Sequence, residues 1–386
     1  MKTSAMIIFF TVFLSLYGLI NYYLFIRGLQ ALTPPSPFRG IYITLFLFLS
    51  LAFIAGRLLE RAGLTAIGVP LNWVGSFWFG AMTYFFFIVV FVDMLRLVNL
   101  WLHFFPPFIA DNLIQARREA FFVAFTAVVL LMAVGYYQAL NLRVRTLDLS
   151  IAKPVPGRKT LNIVMASDIH LGVIVGRKRF DRMVGTINAL APDIVLLPGD
   201  IVDEDLAPVL RGNIGESLKR IRAPLGVYAC TGNHEYIGGV EAACRYLSEH
   251  NIRMLRDASE LVDNAFNLVG REDYSSVRFS GIRRKPLKEL MRGVDRSRPV
   301  ILLDHEPHRL NEATAEGVDL QLSGHTHHGQ FWPINCITKR IFELSYGYMK
   351  KGNTHIYVSS GAGTWGPPIR LVAWPEIVNI RVRFGE

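Results

Sequence analysis

The chain has 386 residues, 51% of them hydrophobic and 19% charged, and a formal net charge of +10. Its mean hydropathy of +0.31 is too high for a protein that is soluble throughout, and the length suits two units. Three cysteines, Cys230, Cys244 and Cys336, exclude a disulfide framework, and an odd count suits a reducing compartment.

The hydrophobic excess lies in the first 150 residues, where several apolar runs approach the ~20 residues that span a bilayer. Four transmembrane helices are predicted, over about 4–25, 41–55, 73–92 and 120–140, as an all-α domain of residues 1–140. The second is the shortest and gains length if Arg57 snorkels. Tyr22, Tyr23, Trp73, Trp101, Tyr136 and Tyr137 sit near the run ends, as an interfacial belt would. The first run is long for a signal peptide, and no small-x-small cleavage site precedes Arg27, so a retained anchor is expected. Residues 83–92, Thr-Tyr-Phe-Phe-Phe-Ile-Val-Val-Phe-Val, lack the polar face a soluble bundle would show. Residues 97–118, with Trp101, Phe104, Phe105 and Pro106-Pro107, read as an interfacial helix followed by a turn. Asp93 and Arg96 are three apart and can pair on one helix face. Intramembrane charge is otherwise scarce, which argues against a transporter or pump.

Four spans put both termini on one side. That side carries eight basic residues (Lys2, Arg57, Arg61 and five from Arg143 to Lys159) against five on the other (Arg27, Arg39, Arg96, Arg117, Arg118). The bias places the C-terminal unit in the cytoplasm, against an inner membrane crossed several times. Arg177, Lys178, Arg179 and Arg182 can face phosphate headgroups or a polyanionic substrate. No nucleic-acid motif is present, and nucleic acid is not an expected partner.

A polar, proline-bearing linker is expected over 141–159, and a catalytic domain over 160–386. There, short apolar runs alternate with helical patterns: Phe180, Met183, Val184, Ile187 and Leu190, then Leu210, Ile214, Leu218 and Ile221, then residues 240–250. Such alternation predicts an α/β fold. Five of the runs end in polar clusters: Asp168-Ile169-His170, Gly199-Asp200, Gly232-Asn233-His234-Glu235, His305, and Gly324-His325-Thr326-His327-His328-Gly329-Gln330. In α/β sheets, ligands bind beyond the carboxyl ends of strands, so five such ends are five arms into one site. Carboxylate, imidazole and amide oxygen are the hard and borderline ligands that a two-metal phosphoester hydrolase needs.

The ordered set D-x-H, G-D, G-N-H-E, H and G-H-T-H resembles the calcineurin-like metallophosphoesterase superfamily over about residues 160–386. With Ser359-Ser360-Gly361-Ala362-Gly363-Thr364, Pro367-Pro368-Ile369-Arg370 and Pro375-Glu376-Ile377, it is similar to a branch that includes membrane-associated bacterial phosphohydrolases. The resemblance implies a four-layer α/β/β/α sandwich and two divalent metal ions, manganese first, with iron or zinc compatible. It implies that Asp168, His170 and His327 hold one metal, that Asn233, His305 and His325 hold the other, and that Asp200 bridges both. A hydroxide shared by the metals would attack phosphorus in line. His234, held by a carboxylate partner, would protonate the leaving oxygen, and Asn233 would help stabilise the developing charge. His328 stands where the branch often has glycine, so its ring either narrows the pocket or touches substrate.

Each cluster alone has a plainer reading: Gly-Asp is a turn, Asn233 a left-handed turn residue, a strand-end His a polar cap. Five together, in this order, do not. Glu235 and His328 divide evenly between a site role and loop orientation, and Asp273 between the site rim and a turn. Arg283-Arg284-Lys285 reads as a solvated face or, near a phosphate site, as a group that steers an anionic substrate. His308 is expected to open a helix through Ala315, and His103, His250 and His355 to be interface or surface residues. The aromatic stretch 331–348 is either core packing or a lip that admits a lipid tail. The function expected is a membrane-anchored, dimetal-dependent hydrolase of phosphoester or pyrophosphate bonds, on a phosphorylated small molecule or lipid. The alternative is a membrane sensor or scaffold that binds a phosphorylated ligand.

Overall fold

The computed structural model describes residues 3–33 and 35–385; Lys2, counted above for orientation, lies outside them. Residues up to Tyr136, with Gly366–Ile369, form one compact unit, and Tyr137–Trp365 with the residues from Arg370 onward form a second.

The first unit is helical: α1 (Thr3–Ala31), α2 (Phe38–Arg61), α3 (Thr65–Leu102), α4 (Pro107–Ala110) and α5 (Leu113–Leu140). Four of these are long and apolar enough to cross a membrane. All four extend beyond the predicted spans, because polar flanks such as Arg57 and Arg61 propagate a helix as readily as the apolar run does. The interfacial helix expected over 97–118 does not form. Residues 97–102 continue α3, His103 ends it in the left-handed conformation (φ 46°), and Pro107 opens a helix of only four residues. Tyr17, Leu24, Phe46, Trp78 and Met82 pack as the unit's core. Asn21 is satisfied inside it. Its amide donates to the Tyr17 carbonyl at 2.8 Å and its carbonyl accepts from Trp78 Nε1 at 3.0 Å, which removes the cost of a bare polar group in hydrocarbon. The predicted Asp93–Arg96 pair forms at 3.2 Å. α1 adds Arg27 at 2.6 Å and the Tyr23 hydroxyl at 2.5 Å to the same carboxylate.

The second unit holds twelve strands in two six-stranded sheets. The strands are β1 (Arg143–Ile151), β2 (Thr160–Met165), β3 (Ile194–Pro198), β4 (Val227–Cys230), β5 (Ile252–Met254), β6 (Ala258–Val262), β7 (Phe266–Gly270), β8 (Val300–Leu303), β9 (Leu320–Ser323), β10 (Gly347–Lys351), β11 (Thr354–Val358) and β12 (Glu376–Phe384). The orders are β1-β12-β2-β3-β4-β5 and β10-β11-β9-β8-β7-β6. Much of the stretch expected to be linker is therefore strand: β1 runs parallel to β12 with Arg143 opposite Glu376. Its alternation is hidden in the sequence because its first four residues, Arg143 to Thr146, are exposed. The helix expected over 210–221 is two short helices, Ala207–Arg211 and Gly215–Leu218, divided at Gly212 and Asn213 (φ 46°).

Strand alternation builds the layers. Ile163 and Met165 of β2 point between the sheets, where they join Leu196, Leu268, Ile301, Leu320 and Leu322 in one core. Val164 points the other way, with Val195 and Leu197, onto Phe180, Met183 and Ile187 of α6 (Arg177–Ala189). On the far side, Val269, Val300 and Leu302 pack against Leu287, Leu290 and Ala313 of two short helices. The result is the four-layer α/β/β/α sandwich preceded by an all-helical region.

The helices α2 and α3 meet at Gly75, where an added Cβ would lie 2.4 Å from the Phe53 Cα. Gly75→Ile is expected to cost about 1–3 kcal/mol by overpacking and to lower the melting temperature in detergent. The control is Gly18→Ile, since nothing lies within 4 Å of its Cβ position. Equal melting of the two variants would show that the helices do not meet there.

Candidate metal centre

All five predicted polar turns converge at the carboxyl ends of β2, β3, β4, β8 and β9. Asp168 and His170 follow β2, Asp200 follows β3, Asn233 and His234 open the helix after β4, His305 follows β8, and His325 and His327 follow β9. The backbone is strained to bring them in. Asp168, His170, Asp200, His325 and His327 all have positive φ, between 45° and 70°. Left-handed non-glycine residues cost of order 1–3 kcal/mol where surroundings over-determine them, and they cluster at functional sites. Neighbouring glycines make the approach possible. An added Cβ at Gly232 would lie 2.2 Å from Asp200 Oδ1, and one at Gly324 2.2 Å from Asp168 Oδ2.

Three groups of imidazole and carboxylate result among the described residues; two of them, Asp168–His170–His327 and Asp200–His305–His325, hold predicted ligands, and the third joins His170 to Asp203 and His234. In the first, His170 Nε2 faces His327 Nε2 at 3.0 Å, and Asp168 Oδ1 lies 3.5 Å from His327 Nε2. In the second, His305 Nε2 is 3.2 Å from Asp200 Oδ2, and the Asn233 amide oxygen lies 3.3 Å from His305 Nε2 and 2.9 Å from His325 Nδ1. Asp200 also lies 3.9 Å from His170 Nε2, so one carboxylate touches both clusters. The sequence reading thus named seven donors that the fold brings together.

Hydrogen bonds decide which ring nitrogen is available. His305 Nδ1 lies 2.8 Å from the Pro198 carbonyl, which can only accept, so Nδ1 carries a proton and Nε2 is the nitrogen turned to Asp200 and Asn233. Burial, with the neighbouring His170 and Arg370, pushes His327 well below the usual imidazole range, which keeps it neutral. Burial works against the charge on Asp200, but the nearby His305 and His234 outweigh it and hold the carboxyl well below its usual range. Nδ1 of His170 is buried without a hydrogen bond, with Asp203 at 3.5 Å. The set comprises carboxylate, imidazole and amide oxygen, buried except at the half-buried Asn233 and His325, with one carboxylate between the clusters. It fits a pair of divalent cations and does not select among manganese, iron and zinc.

His234 stands beside both clusters. Burial lowers its basicity, but Asp200 and Asp203 raise it more, to about 9. Its Nδ1 lies 2.9 Å from Asp203 Oδ1. Asp203 is the unnamed carboxylate partner of the sequence reading; its position three residues after Asp200 in the same loop was the available signal. Glu235 resolves to loop orientation. It is 1% exposed, and its carboxylate accepts from the backbone N–H groups of Gly232, Asp200, Ile201 and Val202 at 2.7–3.0 Å.

Two further groups escaped sequence reasoning. Arg370 is fully buried behind the first cluster, with Nη2 3.1 Å from His327 Nδ1 and hydrogen bonds to the Ser360 and Gly363 carbonyls. Burial pushes its pKa down to about 9. Arg284, expected on a solvated face, is buried with Arg271 against Asp304 at 2.8–2.9 Å. Long-range charge pairing of this kind leaves no local pattern. Asp273 is buried rather than at a rim, and burial with the neighbouring Glu306 raises it to about 7. His328 faces Ser345 and Tyr346 and joins neither cluster. Arg309, not His308, caps the helix Leu310–Ala315, and His355 is buried between Tyr348 and the Ser150 carbonyl.

The family model described as calcineurin-like phosphoesterase matches residues 161–329. An uncharacterized metallophosphoesterase of Aquifex aeolicus is 32% identical over 66% of this chain and 97% of its own length. One of Helicobacter pylori is 34% identical over 58% of this chain and 60% of its own. A zebrafish (Danio rerio) transmembrane protein with metallophosphoesterase domain is 31% identical over 62% of this chain and 56% of its own. The chain thus spans about three-fifths or less of the last two. It belongs to the metallophosphoesterases, a family of phosphoester hydrolases, and carries its family domain behind four candidate membrane helices.

Glu235→Gln keeps the side-chain shape but cannot accept four N–H bonds. Stranding one or two donors is expected to cost about 1–3 kcal/mol each, seen as a lower melting temperature of the purified protein, with weaker hydrolysis. Unchanged melting would mean that the loop does not depend on this carboxylate.

Proposed function

We propose that this chain is a membrane-anchored phosphohydrolase that uses two divalent metals, manganese first, to cleave a phosphoester or phosphoanhydride bond in a lipid-linked substrate. The observation that carries the reading is the pair of donor clusters joined at Asp200, with His234 held by Asp203 beside them. Asp168, His170 and His327 would hold one ion and Asn233, His305 and His325 the other, with Asp200 between. Bound there, the pair would supply an activated water and charge neutralisation at phosphorus.

The chain's own groups do the rest. Asp203 orients the His234 ring, and Asp200 and Asp203 raise its basicity against the effect of burial. His234 is the group able to protonate a departing alkoxide. Asn233 is fixed by two imidazoles, so its amide is preorganised toward the reacting centre. Arg370 backs His327 and keeps that ring from turning.

The lipid part of the reading rests on the surroundings. Directly after the His325–Gln330 turn comes the helix Ile334–Ile341, with Lys339 and Arg340 in its last turn. Trp332, Ile337 and Ile341 are each more than half exposed, as is half of Trp365, whose ring lies 6.3 Å from that of His234. Exposed aromatic and aliphatic side chains with basic neighbours suit a membrane surface, and an acyl chain lying against them would place its phosphate at the metals. The basic-residue bias, eight against five, supports a cytoplasmic position for this unit at the inner membrane.

With manganese, detergent-purified protein is expected to hydrolyse bis-p-nitrophenyl phosphate. Asp200→Ala should fall to background and bind less metal. His234→Ala should lose about 10²–10⁴-fold, and lose more on an ester with a poor, alkyl leaving group than on the nitrophenyl ester. Asp203→Asn should fall in the same direction by a smaller factor. Full activity in Asp200→Ala would remove this site from the reaction.

A further inference from the structure

The four long helices of the first unit leave a cavity of about 180 Å³ between them. Most of its wall is hydrocarbon: Trp78, Phe85 and Val89 of α3 on one side, Phe121 and Phe125 of α5 on another. Trp78 and Asp93, both in the lining, are about 22 Å apart along α3 at 1.5 Å per residue, most of a ~30 Å hydrocarbon layer. The wall is long enough for an acyl chain.

One end of the cavity is different in kind. Arg27, Asp93, Arg96 and Arg117 all line it. Arg27 lies toward the end of α1, Arg96 toward the end of α3 and Arg117 at the start of α5, so three helix ends present guanidinium at one level. Asp93 engages two of them, at 2.6 and 3.2 Å. Arg117 makes no hydrogen bond or ion pair among the described residues, and its Nε is buried without a partner. Three guanidiniums thus face one carboxylate, and two positive charges stand uncompensated against an apolar cavity. A cation held at a membrane without a counter-ion is costly. Guanidinium pairs with phosphate through two parallel N–H···O bonds. An occupant with an anionic phosphate head and a long apolar tail satisfies both ends of this cavity, whereas free phosphate leaves the apolar length unfilled.

We propose that the membrane unit binds one anionic phospholipid. Its phosphate lies among Arg27, Arg96 and Arg117, and an acyl chain runs along α3 toward Trp78. No residue of this site belongs to the metal centre, and the proposal does not depend on the reaction the second unit performs.

The test uses the full chain in dodecyl maltoside, titrated with dioleoyl phosphatidylglycerol and read by native mass spectrometry and thermal melting. Dioleoyl phosphatidylcholine and inorganic phosphate serve as separate arms. One phosphatidylglycerol is expected per chain, with a raised melting temperature, weaker binding of phosphatidylcholine and no shift with phosphate. Arg117→Gln should weaken phosphatidylglycerol by roughly tenfold, the loss of about one charge-assisted contact. Ala124→Phe, which keeps every arginine and fills the apolar wall, should weaken it as well, and so decides the matter if Arg117→Gln does not fold. Hydrolysis of bis-p-nitrophenyl phosphate should be unchanged in both variants. Equal affinity for the two lipids, equal binding by wild type and Ala124→Phe, or the same thermal shift with phosphate alone would overturn the proposal.

Discussion

Asp200 is a carboxylate with almost no access to water, and its neighbours hold its pKa well below the usual carboxylate range. Isolated, that charge would be pushed toward protonation by several kcal/mol of lost hydration. What holds it is supplied from both sheets: the His234 N–H from the loop after β4, His170 from the loop after β2, and His305 from the far sheet at 3.2 Å. The constraint runs in both directions. Strands from two sheets must end at one point for the charge to survive, and once they do, the point is a ready receptor for cations. The left-handed residues on these loops belong to the same bargain, since relaxed backbone would not carry Asp168 and Asp200 close enough to their imidazole neighbours.

Around this centre, most buried polar groups hold backbone rather than substrate. Glu235 gathers four N–H groups that the strand ends leave open. Arg370 ties the Ser360–Gly363 loop to His327. Arg271 and Arg284 share Asp304, next to His305. Each is a charge whose burial is tolerable only because its partners are in place, and such networks specify a single arrangement where apolar packing alone would allow several.

The membrane unit solves the same problem in a different solvent. Asn21, Tyr17 and Trp78 close their hydrogen bonds among themselves and with backbone carbonyls, because hydrocarbon offers no water as an alternative partner. Asp93 draws Arg27, Arg96 and Tyr23 to one place, while Arg117 is left over. The excess of cation at one end of an apolar cavity is what marks that end as a place for an anion.

Much was legible in the sequence, and for identifiable reasons. Long apolar runs announce membrane helices, since length and hydropathy are properties of a contiguous segment. The donors Asp168, His170, Asp200, Asn233, His305, His325 and His327 were legible because each closes a buried strand in a recognisable turn. β1 was not: its alternation is masked by exposed residues, and its partner β12 lies more than 200 positions away. Nor was the split of the 210–221 helix, which a single left-handed Asn213 imposes. The sequence by itself therefore determined the four long apolar helices, the α/β alternation and the seven strand-end residues that converge, all written in local pattern. Only the tertiary structure decided that Asp203 serves His234, that Glu235 binds backbone and that Arg284 and Arg370 are buried. These depend on charges meeting across elements, and such meetings leave no trace in the spacing of residues along the chain.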